Sequence, residues 1–176
     1  MQLREKHLAP REFYREAEEA LRVARELGVR LIINDRVDLA LALSADGVHL
    51  GQDDLPPEAA RKLLGEHAII GFSTHNVEQA RAAARLPVDY LAIGPIFPTS
   101  SKDNPDPVVG LEGLRRVRQM IGPLPLVAIG GINLENIEDV FKAGADSVAC
   151  LSLLLSKPAE IESRTREILA RSQPKS

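Results

Sequence analysis

The sequence predicts an α/β fold of the TIM (β/α)8 barrel type, incomplete at its N-terminus, with seven strands expected. Three observations lead there. Short apolar runs alternate with amphipathic stretches along the whole chain. Aromatic residues make up only 3% and Trp is absent, so the core must be built from Ala, Leu, Ile and Val, which suits parallel strands buried on both faces. Almost every apolar run ends in small or polar residues of ligand-binding type. A barrel behaves this way at its C-terminal face, whereas an open doubly wound sheet concentrates its ligand loops at one switch point.

The strands read at 30–34 (RLIIN), 47–50 (GVHL), 69–72 (IIGF), 90–94 (YLAIG), 124–130 (LPLVAIG) and 147–151 (SVACL), with 2–6 (QLREK) as an opening seventh. Each is short and bounded by Gly, Pro or polar residues. Residues 12–27 carry helical periodicity, with Phe13, Ala17, Ala20, Leu21, Ala24 and Leu27 on one stripe and Glu and Arg opposite. Further helices are expected at 37–43, 57–64, 77–86, 111–121, 134–143 and 159–170, with Asn76 and Asn133 standing where N-caps belong. Residues 1–170 read as one domain and 171–176 as a C-terminal tail. The chain opens directly onto a strand, so the first βα unit of the barrel is expected to be missing.

Composition narrows the function classes. A chain of 176 residues with 44% hydrophobic and 27% charged residues is an ordinary globular domain. A net charge of −3 gives no basic footprint for nucleic acid. The single cysteine, Cys150, lies in an apolar run and reads as a small buried hydrophobe. No run approaches the ~18 apolar residues of a spanning helix, and the polar N-terminus does not resemble a signal peptide. A soluble protein of the reducing cytoplasm is expected. The free edge of an incomplete barrel also admits a homo-oligomer.

The strand ends carry the chemistry. Gln2, Arg4 and Lys6 alternate and would share one face of an extended segment. Asn34 and Asp35 follow RLIIN; Gln52, Asp53 and Asp54 follow GVHL; Ser73, Thr74 and His75 follow IIGF. Thr99, Ser101 and Lys102 come after YLAIG and a Pro-bounded turn, Gly130 and Gly131 after LVAI, and Ser152 after VACL. On a barrel these converge on one mouth. Cations (Arg4, Lys6, Lys102) and free backbone N–H groups suit phosphate. Carboxylates among them (Asp35, Asp54) make sense if Mg²⁺ bridges carboxylates and a polyphosphate. Residue types and spacing thus reach a Mg²⁺-assisted reaction of a pyrophosphate or phosphate ester. Each feature also has a plainer account: QLREK as a solvated edge, Asn34–Asp35 as a helix cap, the Gly pair as a tight turn, His49 as a satisfied core histidine. Their coincidence at seven consecutive strand ends favours the site.

The stretches QLREK, INDRVDLALALSADGVHLGQDDLP, GFSTHN, GPIFPTSSK, GLEGL, AIGGI and AGADSVACLS closely resemble the thiamine-phosphate synthase family. The resemblance runs from Gln2 to about Ser156. It implies a transferase that joins a hydroxymethylpyrimidine pyrophosphate to a thiazole phosphate and releases pyrophosphate. It implies that Gln2, Arg4, Lys6, Asn34 and Lys102 hold the pyrophosphate, with Arg4, Lys6, Lys102 and Ser73 as the catalytic set. By the same resemblance Asp35 and Asp54 hold Mg²⁺, Ser73 and Gln2 lie near the pyrimidine, and Thr99, Ser101, Gly131, Leu151 and Ser152 hold the thiazole phosphate. Ser101 stands where the family often has Thr. The family also has a strand and helix before QLREK. Two rivals follow: a thiazole tautomerase of the same superfamily with His75 as acid/base, and an inactive truncated paralogue that only binds a phosphate ligand. The cations and carboxylates weigh against the tautomerase, which has no pyrophosphate to release.

Overall fold

The computed structural model describes residues 1–99 and 106–172. Its contacts gather into two compact units, one spanning Met1–Ser73 and Arg85–Asp89, the other Thr74–Ala84 and Tyr90–Ser176.

The first unit holds β1 (Gln2–Leu3), α1 (Pro10–Glu26), β2 (Ile32–Asn34), α2 (Val37–Leu43), β3 (Gly47–Leu50), α3 (Pro57–Leu64) and nearly all of β4 (Ile69–Thr74). Strands adjacent in sequence are adjacent in the sheet, and every pair is parallel: Gln2 lies opposite Ile32, Ile32 opposite Gly47, and Gly47 opposite Ile69. A β–α–β order without reversal is the barrel pattern rather than the doubly wound one. The core is aliphatic, as the composition requires: Leu31, Ile33, Val48, Leu50 and Ile70 are fully buried. Helix α1 seals it with Phe13, Ala17, Leu21 and Ala24. Leu27, placed on the same stripe by periodicity, is instead 71% exposed, because the helix ends at Glu26 and Leu27 is its C-cap. Gly47 is required by packing: a Cβ there would sit 1.9 Å from the Ile69 carbonyl oxygen.

The second unit holds α4 (Val77–Ala83), β5 (Tyr90–Ile93), α5 (Gly110–Ile121), β6 (Leu126–Ile129), α6 (Ile137–Lys142), β7 (Ser147–Ala149), α7 (Ser152–Leu155) and, after a 3₁₀ turn at Pro158–Glu160, α8 (Ile161–Ser172). Its strands are again parallel and sequential, with Leu91 opposite Leu126 and Val127 opposite Ser147. Leu91, Ile93, Ile96, Leu114, Val117, Leu126, Ile137 and Val140 form its core. Helix α8 continues to Ser172, past the expected end of the domain, because Arg171 donates to the Leu134 carbonyl and to Glu167. Cys150 is half-buried rather than fully enclosed, and burial still raises its thiol pKa.

A repeated device organises the strand starts. Asp46, Asp89 and Asp146 each precede a strand, and each carboxylate accepts a backbone N–H at or beside the start of the strand before it: Leu31 at 2.8 Å, Ile70 at 2.7 Å and Leu126 at 2.7 Å. An arginine from the helix that leads into the bonded strand, α3 or α5, completes two of them. Arg61 donates to Asp89 and to the Gly65 and Ala68 carbonyls; Arg118 donates to Asp146 and to the Gly122, Leu124 and Gly144 carbonyls. In both cases Arg and Asp are 28 residues apart. No helix among the described residues is long and apolar enough to cross a membrane.

Candidate active site

In the first unit, the strand ends bring together Lys6, Asp35 and Asp54, three of the residues expected to hold a metal and a pyrophosphate. Strand β1 is shorter than expected: it stops at Leu3 and the chain bends. Glu5 makes that bend by accepting the backbone N–H groups of His7 and Leu8. Strand alternation therefore does not extend to Lys6. Lys6 is placed by the bend and by an ion pair, its Nζ 2.8 Å from Asp35 Oδ2. Gln2 and Arg4 are exposed.

Asp35 is not a helix cap. Helix α2 is capped at Arg36 without any side-chain bond, and the Asp35 carboxylate turns to Lys6 instead. Its backbone is held at φ +61° while Arg36 N–H bonds back to the Asn34 carbonyl at 2.7 Å. Asp is among the few residues that tolerate this conformation. Such outliers persist where the surroundings over-determine them, often at functional sites. Asn34 itself is buried.

Asp54 lies beside this pair. Its Oδ2 accepts the Gly51 N–H at 2.7 Å. Burial raises its carboxyl pKa above the ordinary value, the neighbouring Asp35 carboxylate raises it further, and the Gly51 hydrogen bond and Lys6 pull the other way. Asp53 is exposed. Among the described residues, no group of three or more His, Cys, Asp or Glu side chains is placed to hold a metal. The donor set here is two carboxylates and a competing ammonium. That fits Mg²⁺, which takes one or two carboxylates and completes its shell with phosphate oxygens and water.

Ser73, near the end of β4, is held twice from β3 and the turn after it. Its hydroxyl shares a 2.8 Å hydrogen bond with His49 Nε2, and its carbonyl accepts from Gln52 Nε2 at 2.5 Å. His49 is the residue whose site role sequence reasoning missed. It is a buried, satisfied histidine, as read, but its partner is a candidate site hydroxyl. Burial lowers its pKa to about 4, against a smaller raising effect of the Asp35 charge, so the ring is neutral near pH 7. The β3–β4 register explains the contact: His49 pairs with Gly71, and Ser73, two residues on, shares the face of Gly71.

In the second unit, the Gly pair packs against the segment that leads to Thr99. Gly130 and Gly131 have φ of +95° and +65°. A Cβ on Gly131 would lie 2.6 Å from the Pro98 carbonyl oxygen and 2.7 Å from Phe97 Cβ. The glycines thus let the turn press against the segment leading to Thr99, which Ile96 and Phe97 anchor through N–H bonds to the Ile129 and Gly130 carbonyls. Asn136 Nδ2 steadies the turn by donating to the Gly131 carbonyl. Leu151 and Ser152 are exposed and open the four-residue helix α7. Ser101 and Lys102 lie outside the described residues. Asn76 caps α4 as expected, accepting from Gln79 N–H. Asn133 instead closes a turn by accepting the Glu135 and Asn136 N–H groups, because α6 starts only at Ile137. His75 Nδ1 donates to the Gly94 carbonyl at 2.8 Å and lies 3.5 Å from Asp106.

The family model described as thiamine monophosphate synthase matches residues 1–154. The chain belongs to the thiamine-phosphate synthase family. It is 52% identical over 169 residues to the thiamine-phosphate synthase of Koribacter versatilis and 49% identical over 168 residues to that of Syntrophomonas wolfei, in each case covering 96% of this chain and 79% of the relative. The solved thiamine phosphate pyrophosphorylase of Pyrococcus furiosus superposes with a TM-score of 0.86 at 37% identity, covering 97% of this chain and 81% of that one. The parallel, sequential strands and this likeness establish the barrel-type α/β fold.

Proposed function

We propose that this chain is a Mg²⁺-assisted transferase that joins a hydroxymethylpyrimidine pyrophosphate to a thiazole phosphate, giving thiamine phosphate and pyrophosphate. The observation that carries the reading is the cluster of Lys6, Asp35 and Asp54 at neighbouring strand ends of the first unit. Two carboxylates beside an ammonium suit a metal–pyrophosphate ligand, and a tautomerase would have no use for them. The bond that breaks joins the pyrimidine methylene to the pyrophosphate oxygen, which leaves with the electron pair. The thiazole nitrogen then supplies its lone pair to the methylene carbon.

In this reading Asp35 and Asp54 hold Mg²⁺, which when bound neutralises charge developing on the leaving pyrophosphate. Lys6, Arg4 and Lys102 add fixed positive charge at the same oxygens, with Gln2 and Asn34 as neutral donors. Ser73 faces the pyrimidine. The Gly130–Gly131 turn, Thr99 and Ser101, with Leu151 and Ser152, hold the thiazole phosphate through backbone N–H and hydroxyl donors. The partners are small molecules, and the setting is cytoplasmic. A pyrophosphate-release assay with both substrates and Mg²⁺ tests the reading. Release that depends on all three supports it. Turnover undiminished in excess EDTA would remove the metal from it.

A further inference from the structure

His49 has no part in the reaction as described, yet it is one of only three buried polar or charged residues among those described, with Asn34 and Thr74. A buried imidazole costs stability unless its nitrogens are satisfied. Its Nε2 meets that need with the Ser73 hydroxyl at 2.8 Å rather than with backbone. The β3–β4 register places the two on one face. Gln52 locks the same serine from a second direction through its carbonyl.

A serine hydroxyl is a rotor with one hydrogen and two lone pairs. Left alone at a strand end it samples three staggered positions. Tied to a ring that packing keeps in place, it has one. If Nε2 accepts, the serine proton is committed and lone pairs face the ligand. If Nε2–H donates, the serine proton faces the ligand. Either tautomer turns a rotor into a directional contact, and directional contacts reject an isostere lacking the matching group.

We propose that His49 is a positioning residue for the pyrimidine ring: it fixes the Ser73 hydroxyl in the orientation that reads the substrate's ring substituents. The inference rests on the family reaction proposed above, with Ser73 at the pyrimidine.

The test is a double-mutant cycle of His49→Phe and Ser73→Ala, read by calorimetric binding of the pyrimidine pyrophosphate and by steady-state kinetics. His49→Phe fills the same volume without a polar nitrogen. It is expected to weaken pyrimidine pyrophosphate binding roughly tenfold, the scale of one lost hydrogen bond, and to leave the KM for thiazole phosphate within about twofold. In the Ser73→Ala background the same change is expected to cost less than about twofold. His49→Gln, which restores a donor and an acceptor near the Nε2 position, is expected to recover most of the loss; it carries the cycle should the Phe variant misfold. A ring-nitrogen NMR spectrum reads the contact without any ligand: Ser73→Ala is expected to move the His49 Nε2 resonance. Losses that multiply, equal losses toward both substrates, or an Nε2 resonance indifferent to Ser73 would overturn the role. A wild type that binds no pyrimidine pyrophosphate, while its His49 resonance still follows Ser73, would overturn it together with the reading beneath it.

Discussion

Two carboxylates held together without a metal should cost the folded protein stability, and Asp54→Asn measures how much. Burial and the Asp35 carboxylate both disfavour ionised Asp54. Lys6 offsets part of this, but its ion pair is with Asp35, and Lys6 is 46% exposed. Like charges at about 4 Å repel by roughly 1 kcal/mol at water's dielectric and about 4 kcal/mol at an effective dielectric of 20. Both carboxylates still reach solvent, Asp35 with 22% of its side chain exposed, so screening moves the repulsion toward the lower figure. Asn keeps the acceptor for the Gly51 N–H and removes the repulsion. The metal-free variant should therefore gain about 0.5–1 kcal/mol, or about 2–3 °C in Tm for a chain of this size. The same change should abolish the Tm increase that Mg²⁺ with pyrophosphate gives the wild type. Differential scanning calorimetry with and without these ligands decides. A metal-free variant less stable than wild type, or one still stabilised by Mg²⁺ and pyrophosphate, would refute the shared-site reasoning.

Three further outcomes are expected. His49 has a folded pKa of about 4 against about 6.5 unfolded, so the unfolded chain binds the extra proton as pH falls through that window. Stability is fully present above pH ~6.5 and lost toward pH ~4. His49→Gln should flatten this slope, by up to roughly 2–3 kcal/mol across the window, in urea titrations at stepped pH. Arg61, only 12% exposed and paired with Asp89, also serves the Gly65 and Ala68 carbonyls; Arg61→Met should cost about 2–3 kcal/mol by chemical denaturation, with a loss under 0.5 kcal/mol contradicting the latch. Arg4→Ala and Lys102→Ala should each lower kcat about 10²- to 10³-fold with little change in Tm, as for groups stabilising charge only in the transition state; normal turnover of both would remove them from the leaving group.

Much of this was legible because the signals are local. Aliphatic runs bounded by Gly and Pro located every strand from β2 to β7, and the ligand-type residues after them marked the candidate site. Where the reading slipped, tertiary contacts decided. Strand β1 was read through Lys6, but Glu5 bends the chain after Leu3. Leu27 fitted the helical stripe, but the helix ends one residue before it. Asn133 looked like a cap, but a turn intervenes before α6. The latches of Asp89 and Asp146 went unread because each bond spans about twenty residues, and nothing local marks an aspartate that will cap another strand. Asp35 shows the converse. Taken alone its sequence favoured a helix cap, but its carboxylate turns to Lys6 and leaves α2 without a side-chain cap.

The chain is expected to make thiamine phosphate. The direct measurement incubates the purified protein with hydroxymethylpyrimidine pyrophosphate, thiazole phosphate and Mg²⁺, and follows both products by chromatography. The expected result is thiamine phosphate and pyrophosphate in equal amounts, neither forming when the thiazole phosphate or the metal is withheld. Tautomerised thiazole phosphate with the pyrimidine pyrophosphate untouched, or no change in either substrate, would contradict it.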